Sequence, residues 1–158
     1  MKRSSNSRNR NFACVVYLDS APDNWLDLLK SEFVPAFVSP LHDKDINPDG
    51  TLKKPHHHVL VMYDGVKTEK QWEEFRSKFG GVGTEIIQSK RGYARYLCHL
   101  DNPEKQRYNT EDVIEIGGAD YTSAISRDSD KYHIINDMLE FISRNHDTIQ
   151  AHIYERNP

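Results

Sequence analysis

Lys53-Lys54-Pro55-His56-His57-His58-Val59-Leu60-Val61-Met62-Tyr63 is the stretch on which the fold turns. An aliphatic run between Pro55 and the turn pair Asp64-Gly65 reads as a buried strand entered through three histidines. Side chains alternate along a strand, so His56 and His58 share one face and His57 takes the other. Two imidazoles two residues apart on one face are close enough to share a small ion. Taken alone, the pair fits a solvated surface feature equally well, so the weight falls on its neighbours.

Upstream, Ala36 to Leu41 reads as a short strand closed by Pro40, and it delivers His42-Asp43-Lys44-Asp45 to its end. Asn47-Pro48-Asp49-Gly50 is a strong turn signal. A turn there makes the flanking strands antiparallel neighbours and returns His42 and Asp45 towards His56 and His58. Three imidazoles with one carboxylate suit manganese, zinc, cobalt or nickel, and magnesium less readily. The bland reading keeps Asp43, Asp45 and Asp49 as ordinary turn aspartates.

Working outward, Phe12 to Leu18 alternates as a first strand. Pro22 opens a helix whose apolar face is Trp25, Leu28 and Leu29, with Phe33 at its end. Downstream of the histidine strand, Thr68 and Gln71 form a capping box. Trp72, Phe75 and Phe79 then repeat at helical spacing up to Gly80-Gly81. Thr84 to Gln88 is a further strand. Arg91 to Leu100 reads as a short helix presenting Tyr93 and Tyr96 on one face, and Asp112 to Ile116 closes the sheet. A helix resumes at Ser129, and a further short one starts near Asp147. The core order β-α-β-β-α-β predicts an α+β, ferredoxin-like (split βαβ) antiparallel sheet, with helices on one face and a site on the other.

The 158 residues carry a formal net charge of −3, which counts against a uniformly basic, DNA-coating surface but leaves local patches open. Such patches lie in residues 1–11, read as a disordered basic arm with Lys2, Arg3, Arg8 and Arg10, and at Lys53-Lys54 and Lys90-Arg91-Arg95. Residues 12–118 form the expected domain, and 119–158 a linker with C-terminal helices. Cys14 and Cys98 make no C-x-x-C pair and read as buried thiols of a reducing compartment; with no signal peptide or spanning segment visible, the cytoplasm is the expected location.

No G-x-S-x-G elbow, P-loop or H-E-x-x-H is present, which removes the commonest hydrolase, nucleotide-binding and zinc-protease readings. Tyrosine remains as a nucleophile. A phenol of pKa ~10 attacks poorly at neutral pH unless a base takes its proton or a cation polarises the target. A divalent metal does the second for a phosphoryl group, so Tyr93 or Tyr96 on a short basic helix is a coherent partner for the histidines. The plain alternative packs both rings on the sheet.

Three segments taken together, Ser39-Pro40-Leu41-His42-Asp43-Lys44-Asp45, His56-His57-His58 before its aliphatic strand, and Tyr93-Ala94-Arg95-Tyr96-Leu97-Cys98-His99, resemble the HUH endonucleases. Within them the chain is most similar to replication initiator proteins of small rolling-circle plasmids, from about Phe12 to about Ile116. The resemblance implies that His42, Asp45, His56 and His58 bind a divalent ion, manganese or magnesium. It implies that Tyr96 is the nucleophile, with Tyr93 the second choice; His99, a turn further along the helix, is a candidate positioning group. It implies attack on single-stranded DNA in an origin hairpin loop, leaving a 5′-phosphotyrosyl link and a free 3′-OH primer. The implied partners are plasmid origin DNA, as duplex repeats and hairpin loop, host replication proteins and other copies of the chain, in the bacterial cytoplasm. Phosphate contacts are expected from Lys2, Arg3, Arg8, Arg10, Lys53, Lys54, Lys90, Arg91 and Arg95.

Two features depart from that family's pattern. The middle motif residue, usually hydrophobic, is His57, which alternation turns to the helix-covered face. The chain also stops soon after Tyr154, where such initiators continue into a helical oligomerisation domain. The rivals are a non-catalytic ferredoxin-like DNA- or RNA-binding module, indifferent to metal and to loss of Tyr96, a water-activating phosphodiesterase, and a conjugative relaxase.

Overall fold

The strand that the histidines open runs His56–Thr68 (β3) and is flanked on both sides. The computed structural model describes residues 7–126 and 128–156, with side chains described for 7–126 and 132–146. Its first unit spans Met1–Ile125 and its second Ser126–Pro158. In the first unit, Arg8–Tyr17 (β1), Trp25–Lys30 (α1), Ala36–Val38 (β2), β3, Glu69–Ser77 (α2), Val82–Ile86 (β4), Lys90–Tyr96 (α3), Ile114–Ile116 (β5) and Tyr121–Ile125 (α4) follow in order. The sheet order is β4-β1-β3-β2-β5, and every neighbouring pair is antiparallel. β3 inserts between β1 and β2, which is the split βαβ arrangement, and β5 extends it at one edge. The fold is thus α+β, as the pattern predicts.

Burial on both faces explains why β3 reads as a continuous apolar run. Phe12, Cys14, Val16, Val59 and Val61 point to one face and pack under α1 and α2, where Trp72 stacks on Phe12 with ring centroids 5.2 Å apart. Ala13, Phe37 and Leu60 point to the other and pack against Tyr93, Ala94, Leu97 and Cys98. α3 therefore partly covers the face that the sequence leaves free for a site. Both cysteines are free and buried, and burial pushes the Cys14 thiol up to about 12, so it is inert as a nucleophile.

The capping box forms as expected: the Gln71 amide donates to Thr68 Oγ1 (3.2 Å), and the Thr68 amide donates to Gln71 Oε1 (2.9 Å). Thr68→Ala removes one half of it and is expected to cost about 1 kcal/mol, read as a lower urea midpoint at unchanged slope.

Several expectations are revised. Residues 8–11 are not arm but strand, Arg8 pairing with Thr68 and Asn9 with Lys67, because backbone pairing to the polar end of β3 requires no apolar side chain. Lys2 and Arg3 lie outside the described residues. α1 ends at Lys30, so Phe33 leaves its apolar face, 85% exposed at φ 54°. β4 begins two residues early, at Val82. Tyr121 in α4 falls in the stretch read as linker, yet it is buried and its hydroxyl donates to the Ala94 carbonyl (2.7 Å).

Among the described residues the second unit holds one helix, Asp128–Arg156 (α5), with no break near Asp147. No helix among the described residues is long and apolar enough to cross a membrane.

Candidate metal and tyrosine centre

The turn returns its strand as the sequence predicts. The His42 amide donates to the His56 carbonyl (2.8 Å) and the His56 amide donates back (3.2 Å). His58 follows on the same face of β3, its amide donating to Ser39 Oγ (2.9 Å). The three imidazoles meet ring to ring, 5.4 Å for His42–His56, 4.8 Å for His42–His58 and 5.0 Å for His56–His58. His57 turns away, packs on Trp25 of α1 and donates from Nδ1 to the Ser39 carbonyl (2.8 Å), which makes it a structural residue of the opposite face.

Backbone carbonyls accept only, so they fix which ring nitrogens carry protons. His56 donates from Nδ1 to the Lys54 carbonyl (2.6 Å), and His99 from Nδ1 to the Gln106 carbonyl (2.7 Å). In each neutral ring Nε2 keeps its lone pair. His42 donates from Nε2 to the Leu97 carbonyl (2.8 Å), which leaves its Nδ1 facing Asp45 Oδ2 at 3.0 Å. Burial holds His42 below the ordinary imidazole range, more than the Leu97 and Asp45 contacts raise it. Burial pushes the Asp45 carboxyl up, but the Tyr108 and His42 contacts outweigh it and keep it ionised. The His42 Nδ1 and an Asp45 oxygen thus face each other, and the His56 Nε2 lies 3.7 Å from the same oxygen.

Acceptors so converged fit a cation. Atoms bonded at ~2.1 Å to one octahedral ion stand about 3.0 Å apart. His42, His56 and His58 form one group able to hold a metal, and His42, Asp45 and His99 a second that shares His42. The structure therefore brings together all four ligands that the sequence nominates, and adds His99 beside them.

Burial pulls His58 down to about 3, helped by His42 and His56, and it lowers His57 as well. In metal-free protein the unfolded chain binds protons near pH 6.5 that folded His58 refuses. For His58 that stability is present above about pH 6.5 and is lost as the pH falls towards 3, by up to about 1.4 kcal/mol per pH unit, and His57 acts in the same direction. Urea unfolding in chelator at pH 7, 6 and 5 is expected to show a falling midpoint; a flat profile would contradict it.

The two tyrosines separate. Tyr93 is buried, with its hydroxyl 3.4 Å from His58 Nδ1, and burial raises its phenol well above the ordinary range. Tyr96 is half-buried, one helical turn on, with its ring 5.5 Å from that of His58 and 5.2 Å from that of His99. Tyr96 lines an open cleft of ≈ 640 Å³ together with Asp45, His56, His58, Lys53 and Lys54. A second groove of ≈ 500 Å³, bordered by Glu85, Gln88 and Ser89, reaches Tyr96 and His58 from the other side.

α3 is placed by its ends. Ser89 caps it, accepting from the Gly92 amide (3.0 Å). At its far end Leu100 donates to the Arg95 carbonyl (3.1 Å) and His99 to the Tyr96 carbonyl (3.0 Å), a Schellman turn. Its left-handed position, which favours glycine, is occupied by His99 at φ 53°. A side chain there costs backbone energy, and here it delivers an imidazole to the site.

Two contributors escaped the sequence reading. Tyr108 stacks on His42 (4.1 Å, 9°) and donates to Asp45 Oδ1 (2.6 Å). Lys105 donates to the Tyr96 hydroxyl (3.3 Å) with its ammonium 4.8 Å from the ring centre. Both follow α3 in an irregular loop, where no periodicity marks them.

The basic candidates scatter. Lys53 and Lys54 border the cleft, although Lys54 pairs with Asp19 (3.2 Å). Lys90 and Arg91 are exposed on the first turn of α3. Arg95 is engaged by Asp101 (2.8 and 3.0 Å) and the Ile125 carbonyl (2.9 Å), so it braces α3. Arg8 and Arg10 sit at the end of β1 remote from Tyr17, which pairs with His56, roughly 25 Å along the strand.

The chain is 44% identical over 139 residues to the replication protein RepB of Lactiplantibacillus plantarum, and 40% identical over 138 residues to a replication protein of Staphylococcus aureus. Each match covers 87% of this chain, and it spans 63% and 69% of those relatives. A replication protein RepB of Streptococcus agalactiae is 26% identical over 144 residues. Residues 4–122 match the family described as plasmid replication protein, origin binding domain, and the chain belongs to that family.

Proposed function

We propose that this domain nicks single-stranded DNA at a plasmid origin by metal-dependent transesterification, with Tyr96 as the nucleophile. The observation that carries the reading is the half-buried Tyr96 ring beside His58, in the same open cleft as the acceptors His56 and Asp45. His42, Asp45, His56 and His58 hold the ion, manganese or magnesium. When bound, it polarises the scissile phosphate and offsets the charge that builds during displacement.

Tyr96 Oη forms the new bond to phosphorus as the bond to the 3′-oxygen breaks. The phenolic proton departs and the 3′-oxygen acquires one, leaving a 5′-phosphotyrosyl link and a free 3′-OH. Bond energy is conserved, so the strand can be rejoined. Tyr93 keeps His58 in place from the buried side, and His99, facing both His42 and Tyr96, is a positioning residue. Grooves on both sides of Tyr96 suit a strand that passes across it.

The partners of this reading are origin DNA, host replication proteins that extend the 3′-OH, and other copies of the chain. For the last, α5 offers exposed Ile134, Ile135, Met138, Leu139, Phe141 and Ile142. The test is incubation with single-stranded oligonucleotides carrying hairpin loops, with manganese or with chelator. A denaturation-resistant protein–DNA band only with manganese is expected. Cleavage without a band would assign the attack to water, and tight binding without cleavage would reduce the domain to a binding module.

A further inference from the structure

The turn between His42 and His56 does more than return a strand. Its tip is tied down: the Asn47 amide donates to the Thr51 carbonyl (2.7 Å), and Asp49 Oδ1 accepts from the Thr51 amide (3.0 Å) and hydroxyl (2.6 Å). The Lys53 amide donates to the Asp45 carbonyl (2.8 Å), so the ribbon is held at its base too. Opposite lies the loop of residues 104–106. Between ribbon and loop is a concavity of ≈ 180 Å³ lined by Lys44, Lys53 and Lys105, with Asp45, Ile46, Glu104 and Gln106.

Three lysines line this space, the Lys105 ammonium resting at the Tyr96 hydroxyl on its border, and its carboxylates are drawn elsewhere. Asp45 is engaged by Tyr108 and His42, and Glu104 accepts from the Asn102 amide group (3.4 Å). Neither Lys44 nor Lys53 has a carboxylate partner within 4.0 Å among the described residues, whereas neighbouring Lys54 pairs with Asp19. Lys105 also reaches the Tyr96 hydroxyl, so the concavity adjoins the nucleophile.

We propose that Lys44, Lys53 and Lys105 form a subsite for one phosphodiester of the single strand, next along the strand from the phosphate that Tyr96 attacks. The inference rests on the nicking reading for its register only. The rigid ribbon supplies two ammonium groups and the loop the third, while Lys105 sets the Tyr96 hydroxyl relative to the held phosphate. Lys44 and Lys105 thereby join the DNA-contacting residues, and Arg95 leaves them.

The test measures equilibrium binding of a random-sequence 20-nucleotide single strand to the full chain carrying Tyr96→Phe, without divalent metal, from 50 to 300 mM salt. A phosphate neutralised on a single strand contributes about 0.7 to the slope of log K against log salt. The triple variant K44M/K53M/K105M is expected to lose about 0.7, and the double variant K53M/K105M nearly as much, since one phosphate is shared. K70M, in α2 on the opposite face, is expected to lose nothing and calibrates the assay. An unchanged slope in the triple variant overturns the subsite. A loss near three times as large overturns it as well, because it means three separate phosphates. The fold of each variant is verified by its urea midpoint. Failure of wild-type protein to form an adduct with manganese would sink the nicking reading and leave the slope measurement intact.

Discussion

Tyr96→Phe is expected to abolish the covalent protein–DNA band and lower manganese-dependent nicking by about 10⁴-fold or more, with single-strand affinity unchanged. The size follows from the chemistry: removing the attacking atom removes the step, whereas ordinary contacts alter a barrier by a few kcal/mol. Tyr93→Phe is the informative companion. Its hydroxyl meets His58 Nδ1 at 3.4 Å, and its ring is core. It should nick within about tenfold of wild type, since a weakened partner of a metal-binding histidine has effects of that order. The check is denaturing electrophoresis of labelled oligonucleotide with both variants. Equal loss in the two would remove the distinction drawn between the tyrosines, and a surviving band in Tyr96→Phe would exclude Tyr96.

Metal binding gives the second large effect. Asp45→Ala is expected to weaken manganese binding by more than about 100-fold and to remove nicking with it, because it deletes the carboxylate that His42 Nδ1 and His56 Nε2 both face. Tyr108→Phe keeps the ring stacked on His42 and deletes only the hydroxyl held by Asp45 Oδ1. It should cost about 10- to 100-fold in metal affinity, the range for partners that orient a ligand. Titration calorimetry, or manganese paramagnetic resonance, reads both. If Tyr108→Phe binds as tightly as wild type, the hydroxyl is not orienting the carboxylate.

The sheet was legible because its signals are local and periodic. The apolar run of β3, the capping box at Thr68 and the turn at Asn47–Gly50 each prescribe their own geometry, and together they leave little choice of strand order. The proximity of His42, Asp45, His56 and His58 was legible for the same reason: one turn and one alternation bring them together. What was not legible depends on contacts between distant segments. Tyr108 reaches Asp45 across 63 positions, and Lys105 approaches Tyr96 from an irregular loop. Arg95 looked like a phosphate contact by composition and is an internal brace, because its partner Asp101 lies beyond the helix end. Phe33 fitted the helical spacing, but α1 stops three residues before it. Residues 8–11 looked disordered by composition, and backbone pairing overrode composition.

The Leu97 carbonyl that receives His42 and the Tyr108 hydroxyl that receives Asp45 belong to segments made well after the ligands they steady. A chain emerging from the ribosome as far as β3 carries all four proposed metal ligands, yet lacks both of these supports and also β4, the second neighbour of β1. Domains fold as units once their parts are available. Order of synthesis therefore imposes a delay: His42, Asp45, His56 and His58 have both supports available only after a further 40 residues (Thr68 to Tyr108), by which point the helix bearing Tyr96 has also been made.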